Sequence, residues 1–376
     1  MSETSTPSNR AAVLGAAYAD LEVRQVEYRH PGPGELVIRN RAVAINPLDA
    51  VKQGTGNMMY GWLPYPTVLG EDVAGEVVEI GSGVTRFTVG DRVFAYAVGM
   101  EKGRDPIAEG GFQQYTVVRE LLAAPIPASM SFEQAAVLPL AVSTAASALF
   151  QRDQLGLRFP TAGDGRTGQT VVVWGGSTSV GNNAIQLAAA AGYDVVTTAS
   201  PHNHDRMRRL GATAVFDYAS PTAVRDLVAA LAGKPVAGVF AIGTGSAEPS
   251  LAIAIATRAK RVALASPSVS LGRIPRSPGL NGEFIRVIAA LVGRTTALQV
   301  RSRLRGIRTR FVWGSTLMTN EVGPMLWGQF LPSALADGRF VSAPAAEVVG
   351  STLGDVQGAI DLLRKGVSAK KLVVTL

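Results

Sequence analysis

The spacing of apolar positions changes character at about Gly168. Before it, short β-forming runs at 12–14, 35–44, 72–80, 92–96 and 113–118 are split by proline and glycine. PGPGE (31–35), GSGV (81–84) and VGDRV (89–93) supply turn chemistry between them. The pattern predicts a β-rich domain over roughly the first 140 residues. Near its end Ser131, with Gln134 three positions on, reads as a helix cap. After Gly168 the chain alternates. Strands are predicted at 171–174, 194–199, 214–217, 236–242, 260–265 and 311–314, and helices at 182–191, 203–210, 221–232 and 247–257. Such alternation predicts an α/β doubly wound parallel sheet. Beyond Gly323 come an amphipathic helix at 325–337 and a tail of strand, helix and strand.

The most informative segment is 168–200. A buried β run, TVVVW, meets the turn Gly175-Gly176-Ser177-Thr178-Ser179-Val180-Gly181, then a helix and a second buried strand. This is a βαβ unit whose turn offers backbone N–H groups and a helix N-terminus to a phosphate. Thr178 and Ser179 replace glycines of the G-x-G-x-x-G pattern and are expected to offer hydroxyl donors to a pyrophosphate.

Composition narrows the class. The 376 residues are 47% hydrophobic, which suits two well-buried domains. Without cysteine, disulfides and thiolate metal sites are excluded. The polar N-terminus has no apolar signal core, and the apolar run 135–150 is interrupted by Pro139 and hydroxyl residues, so it reads as a buried helix. A soluble cytoplasmic protein is the expectation.

Several segments together resemble the medium-chain dehydrogenase/reductase superfamily: AVAINPLDA (42–50), LGEDVAGEVVEIGSGVTRFTVGDRVFA (69–95), GGFQQYTVV (110–118), LPLAVSTAASAL (138–149), the GGSTSVG turn, LGATAVFDY (210–218) and RKGVSAKKLVVTL (364–376). The resemblance spans essentially the whole chain. It implies a GroES-like β-rich catalytic domain built from 1–140 and 317–376, and a Rossmann dinucleotide-binding domain at 141–316. The departures indicate a branch. Leu48 stands where zinc alcohol dehydrogenases carry a catalytic cysteine, and Gly70-Glu71-Asp72 replaces G-H-E. The structural zinc loop is missing. Zinc prefers nitrogen and sulfur donors, so no metal site is expected, and Glu71 and Asp72 read as hydrogen-bonding residues. The chain is similar to the zinc-free quinone oxidoreductases and stand-alone enoyl reductases.

On the cofactor side, the second strand of the βαβ unit ends at Ser200-Pro201-His202-Asn203, with no acid before Asp205. An NAD-dependent enzyme generally places an acid there for the ribose 2′-hydroxyl. NADPH is therefore expected, its 2′-phosphate meeting Ser200, His202 and Asn203; Asn203 also reads as a helix cap. Tyr218 matches an adenosine-side contact of the relatives or is a half-buried core residue, and Lys371 belongs to the cofactor set by resemblance. On the substrate side, Lys52 and Thr144 fall where enoyl reductase relatives place residues near the nicotinamide and the thioester carbonyl. Lys52 is either a catalytic cation or a solvated surface lysine. Thr144 donates a hydrogen bond to the substrate or back-bonds its own helix. Tyr60 is a proton donor or a pocket wall.

Charge is unevenly placed. Residues 258 to 310 hold twelve lysines and arginines against one acid, Glu283, a net +11 where the whole chain carries +7. The segment is a solvated basic face or a patch for an anionic partner such as a carrier protein, a thioester or a membrane; nucleic acid is not expected. No G-x-S-x-G elbow or Walker A motif is present, and His30, His202 and His204 lack metal spacing. The expected function is zinc-independent reduction of a conjugated C=C in an enoyl thioester, enone or quinone, by a monomer or homodimer. The alternatives are a nucleotide-sensing or structural use of the fold, and a zinc-free carbonyl reductase.

Overall fold

The computed structural model describes residues 7–160, 165–267 and 282–376. Strands β1 (Asn9–Leu14), β2 (Leu21–Val26) and β3 (Glu35–Ala44) lead into helix α1 (Pro47–Thr55). Then follow β4 (Thr67–Val68), β5 (Asp72–Ile80), β6 (Arg92–Tyr96), α2 (Pro106–Glu109), β7 (Tyr115–Arg119), β8 (Ala123–Pro125), α3 (Phe132–Ala136) and α4 (Pro139–Phe150). The alternating part comprises β9 (Thr170–Trp174), α5 (Ser179–Ala190), β10 (Asp194–Thr198), α6 (His204–Arg209), β11 (Ala214–Phe216), α7 (Ala223–Ala230), β12 (Val236–Ala241), α8 (Ala247–Thr257), β13 (Arg261–Leu264), α9 (Gly282–Leu304) and β14 (Arg308–Phe311). A π-helical turn, Pro324–Phe330, runs into α10 (Leu331–Ala336), and β15 (Ala345–Gly350), α11 (Val356–Lys365) and β16 (Lys370–Thr375) end the chain.

Two compact units result. The first takes the chain up to Leu140 and again from Ala345; the second takes the described residues between them. In the first unit a mixed sheet runs β15-β16-β3-β5-β6-β8. The ten-residue β3 organises it: one edge pairs with β5 throughout, while the other pairs with β7 at Glu35–Arg39 and with the C-terminal β16 at Ala42–Ala44. Both ends of the chain thus share one strand. Helix α3, capped reciprocally by Ser131 and Gln134, packs against this sheet.

The second unit is a parallel six-stranded sheet in the order β11-β10-β9-β12-β13-β14. The order reverses between β9 and β12, the place where doubly wound sheets bind ligands beyond their strand ends. One face is sealed by Val172, Val196, Val239 and Val262 of the strands against Leu227, Leu251 and Leu298 of α7, α8 and α9, all buried.

Four expectations are corrected. The return to the first unit comes at Ala345 rather than 317, because α5 holds the intervening chain. Gln186 accepts from Val341 N–H at 2.8 Å and donates to its carbonyl at 3.1 Å, and Asn183 donates to the Ala343 carbonyl at 3.2 Å. The last parallel strand is Arg308–Phe311 rather than 311–314. As an edge strand it is exposed at all but Thr309, so its polar sequence hid it. The apolar run 135–150 is two helices broken before Pro139, not one. Helix α5 begins at Ser179, three residues early, because Thr178 caps it. Helix α1 and strands β2, β4 and β8 carried no clear periodicity. Arg273 and Arg276 of the basic segment lie outside the described residues.

Candidate active site

The glycine turn sits at the C-terminal end of β9. Gly175 has φ of +93°, and a Cβ there would run into the Ile242 carbonyl oxygen; a Cβ on Gly181 would strike the Gly175 carbonyl. Both positions therefore require glycine for the turn to close. Thr178 Oγ1 accepts from Gly181 N–H at 3.0 Å and donates to the Gly175 carbonyl at 2.8 Å. Its hydroxyl proton is committed inside the turn, which corrects the expectation that it faces a pyrophosphate. Ser179 Oγ makes no hydrogen bond in the structure. The donors that remain are the Ser179 hydroxyl and the first-turn amides of α5, a fit for a phosphate group. Ser177 and Val180 flank them, both partly exposed.

The turn is tied to β10: Gly175 N–H donates to Thr198 Oγ1 at 3.0 Å and Gly176 N–H to the Thr198 carbonyl at 2.8 Å. This places Ser200, two residues on, at the same end of the sheet. Ser200 Oγ and Tyr218 Oη lie 3.4 Å apart, at the ends of adjacent parallel strands. Tyr218 is 50% exposed, half-buried as the second reading has it, though outside the buried core. Asn203 caps nothing with its side chain, which instead meets His202 Nε2 at 3.1 Å. Asp205, the nearest acid in sequence, pairs with Arg208 at 2.7 Å. The strand end is thus a cluster of hydroxyl, amide and imidazole groups, and the acids beside it, Asp205 and Asp217, meet Arg208 and the Ala219 N–H.

Thr144, in α4, is 9% exposed and lies against Gly314, where a Cβ would come within 2.6 Å of its Oγ1. No back-bond to its own helix is made among the described hydrogen bonds, unlike Thr55, which donates to Val51.

In the first unit, Lys52 is not a solvated surface lysine. It is fully buried, and its Nζ donates to the Tyr60 carbonyl at 3.0 Å, to Asn57 Oδ1 at 3.2 Å and toward the Leu63 carbonyl at 3.4 Å. The Tyr65 ring lies 4.5 Å below. The nine-residue α1, begun at Pro47 after the Asn46 cap, is buried from Asp49 to Thr55, and this sets the lysine under the loop that follows. Burial holds its pKa below the ordinary lysine value. The ammonium gathers a loop whose Tyr60 adopts φ of +55°, an uncommon conformation for a side-chain-bearing residue. Tyr60 itself is buried, and desolvation first, then the Glu71 charge, raises its phenol well above the usual range.

Glu71 and Asp72, read from sequence as hydrogen-bonding residues, join a polar network whose other members sequence reasoning missed. Asp72 Oδ2 receives Lys371 Nζ and Asn46 Nδ2, each at 2.8 Å, and Oδ1 receives Leu140 N–H at 2.6 Å. Lys371 also donates to Asn46 Oδ1. Lys371, placed in the cofactor set by resemblance, thus serves as the counter-ion of Asp72. Asp49 accepts from Asn46 N–H at 2.7 Å in the capping box of α1, and Glu71 accepts from Tyr96 Oη at 3.3 Å. Desolvation raises the Asp49 carboxyl to about 7, and raises Glu71 well above its ordinary value with Asp49's charge adding to it. For Asn46 and Asp49 the sequence signal was Asn-Pro with an acid three residues into the helix.

A GroES-like β unit and a doubly wound sheet with a glycine turn at its switch point define an oxidoreductase built on a dinucleotide-binding scaffold. The comparisons agree. A family model for the alcohol dehydrogenase GroES-like domain matches residues 32–128. The chain is 46% identical to the dehydrogenase pigH of Monascus ruber over 98% of this chain and 100% of that protein. It is 40% identical to the trans-enoyl reductase himH of Aspergillus japonicus over 90% of this chain and 89% of that protein. An alcohol dehydrogenase superfamily protein from Novosphingobium aromaticivorans shares the fold at a TM-score of 0.70 with 26% identity, over 98% of this chain and 99% of that one. The chain belongs to the medium-chain dehydrogenase/reductase superfamily.

Proposed function

We propose that this protein reduces a polarised C=C bond of an enoyl thioester, enone or quinone with NADPH and without a metal ion. The observation that carries the metal-free reading is the state of Asp72. Both its oxygens are taken by Lys371, Asn46 and the Leu140 amide, while Leu48, at the family's cysteine position, offers no donor. The other buried acids of the network, Glu71 and Asp49, are hard oxygen donors with no nitrogen or sulfur ligand beside them in sequence, a poor match for zinc. Without a Lewis acid, simple alcohol–carbonyl exchange loses its usual driving group, whereas a conjugated carbonyl needs only hydrogen-bond activation at oxygen. The name of the himH relative, trans-enoyl reductase, supports the same substrate class.

The dinucleotide fits the residues present. The α5 amides and Ser179 suit the pyrophosphate, and Ser200, His202 and Asn203 suit a 2′-phosphate that no carboxylate repels. When bound, NADPH supplies the hydride. The chain's part is to orient and polarise. Thr144, its hydroxyl free of an internal bond, donates to the substrate carbonyl oxygen; Lys52 positions the loop carrying Tyr60. The proton for the α-carbon comes from water. The test is loss of NADPH absorbance with a panel of enoyl thioesters, enones and quinones after exhaustive chelation. Turnover that survives chelation is expected, with secondary alcohols and NADP⁺ inert. Chelator-sensitive alcohol oxidation with no alkene or quinone reduction overturns the proposal, and NADPH binding without turnover on any acceptor points to a sensing protein.

A further inference from the structure

Helix α9 is unusual among the described helices in what it leaves outside. Leu298 and Ser302 are buried, but Ile285, Ala289, Val292, Thr296 and Val300 are all exposed. Their spacing of four, three, four and four residues puts them on one stripe of the helix, over roughly 22 Å at about 1.5 Å per residue. Leu304 at the end of the helix and Phe311 on the edge strand β14 are also exposed, by 80% and 49%. At about 100° per residue Arg286 flanks the stripe, Arg303 falls on it, and Arg294 and Arg301 lie toward the buried face; with Arg305 and Arg308 beyond the helix end, all six are exposed. No side-chain hydrogen bond or ion pair holds any of these six among the described residues. By contrast Arg310 is paired with Asp153 and Arg261 donates to the Arg152 and Gln154 carbonyls.

We propose that this face docks on an anionic phospholipid surface. A helix with a buried face, an exposed aliphatic stripe and arginines around the rest of its exposed surface can lie in a membrane interface, stripe toward the acyl boundary and the long arginine side chains reaching the headgroups. Four to eight basic residues on such a helix suffice for recognition of acidic lipid. A plane can meet this convex helix along its whole length, whereas a protein would need a matching groove. A second copy of the same face would set six arginines against six. The docking face lies wholly in the second unit and uses none of the residues assigned to the cofactor or substrate.

The test is co-sedimentation with vesicles of pure phosphatidylcholine and of phosphatidylcholine with about one-third phosphatidylserine, at about 0.05 M and 0.5 M salt, where screening lengths differ about threefold. Binding to the acidic vesicles alone, released at high salt, is expected. Arg301→Gln with Arg303→Gln and Arg305→Gln should lower partitioning about 10²-fold, near fivefold per charge. Val292→Ser with Val300→Ser should weaken it while leaving the salt dependence unchanged. Unchanged urea midpoints show that the variants fold. Equal binding to both vesicle types, no binding at low salt, or variants that partition like the wild type overturn the proposal. So do a dimer broken by the valine variants and binding to polyglutamate without binding to vesicles, which reassign the face to a second copy or an acidic protein.

Discussion

Lys371 Nζ and Asp72 Oδ2 meet at 2.8 Å, the lysine side chain 6% exposed and the aspartate fully buried. They come from opposite ends of the chain, and β16 docking on β3 brings them together. Removing one partner would leave the other charge in a low-dielectric interior. Lys371→Met is therefore expected to destabilise the protein by about 3–5 kcal/mol, and adding Asp72→Asn should restore part of the loss. Urea unfolding of the two variants checks this; an additive double variant would show the pair to be uncoupled.

Asp49 makes stability depend on pH in a definite sense. Its folded carboxyl is raised from 3.8 to about 7, so between those values the native state holds a proton that the unfolded chain has released. Stability contributed at this site is present below about pH 4 and is lost as pH rises through about 7. Asn keeps an oxygen acceptor for the Asn46 amide. Asp49→Asn should thus gain stability relative to wild type as pH rises from 4 to 8. Urea midpoints that run parallel over that range would overturn the prediction.

Lys52 and Thr144 should fail differently. Lys52→Met keeps the apolar stem but removes the ammonium from the Asn57 side chain and the Tyr60 and Leu63 carbonyls, leaving Tyr60 only the Leu63 N–H, so a loss of about 1–3 kcal/mol and faster hydrogen exchange at 57–65 are expected. If the variant loses turnover at full stability and unchanged exchange, Lys52 acts on the substrate itself.

Thr144→Ala should instead lower kcat by about 10- to 10³-fold, as for loss of one donor to a developing oxyanion, with little change in stability. Thr144→Ser should retain most of the rate. Full activity in the alanine variant would remove Thr144 from the reaction.

Ser200→Asp should reverse the dinucleotide preference, since a carboxylate repels a 2′-phosphate and accepts from a 2′-hydroxyl. Comparing the Kd of NADPH and NADH in both proteins decides it. A wild type that binds NADH as tightly as NADPH would be incompatible with the assignment.

The parts of this protein legible in its sequence are those that local physics decides. The TVVVW run, the glycines at 175 and 181 and the Ser131–Gln134 box act through neighbouring atoms, and each lies where the residue order places it. The strands at 35–44, 72–80 and 92–96 were equally plain, because runs bounded by turn residues need no distant partner to be recognised. What only the tertiary structure decided is where long side chains go. Lys52 reads as catalytic or solvated until the 57–65 loop folds over it and supplies three oxygens. Lys371 gains its partner only when β16 sets it beside Asp72, and the return to the first unit is delayed to Ala345 by amide contacts from α5. A lysine's charge must find its partner through space, and the partners here stand at sequence separations that no periodicity encodes.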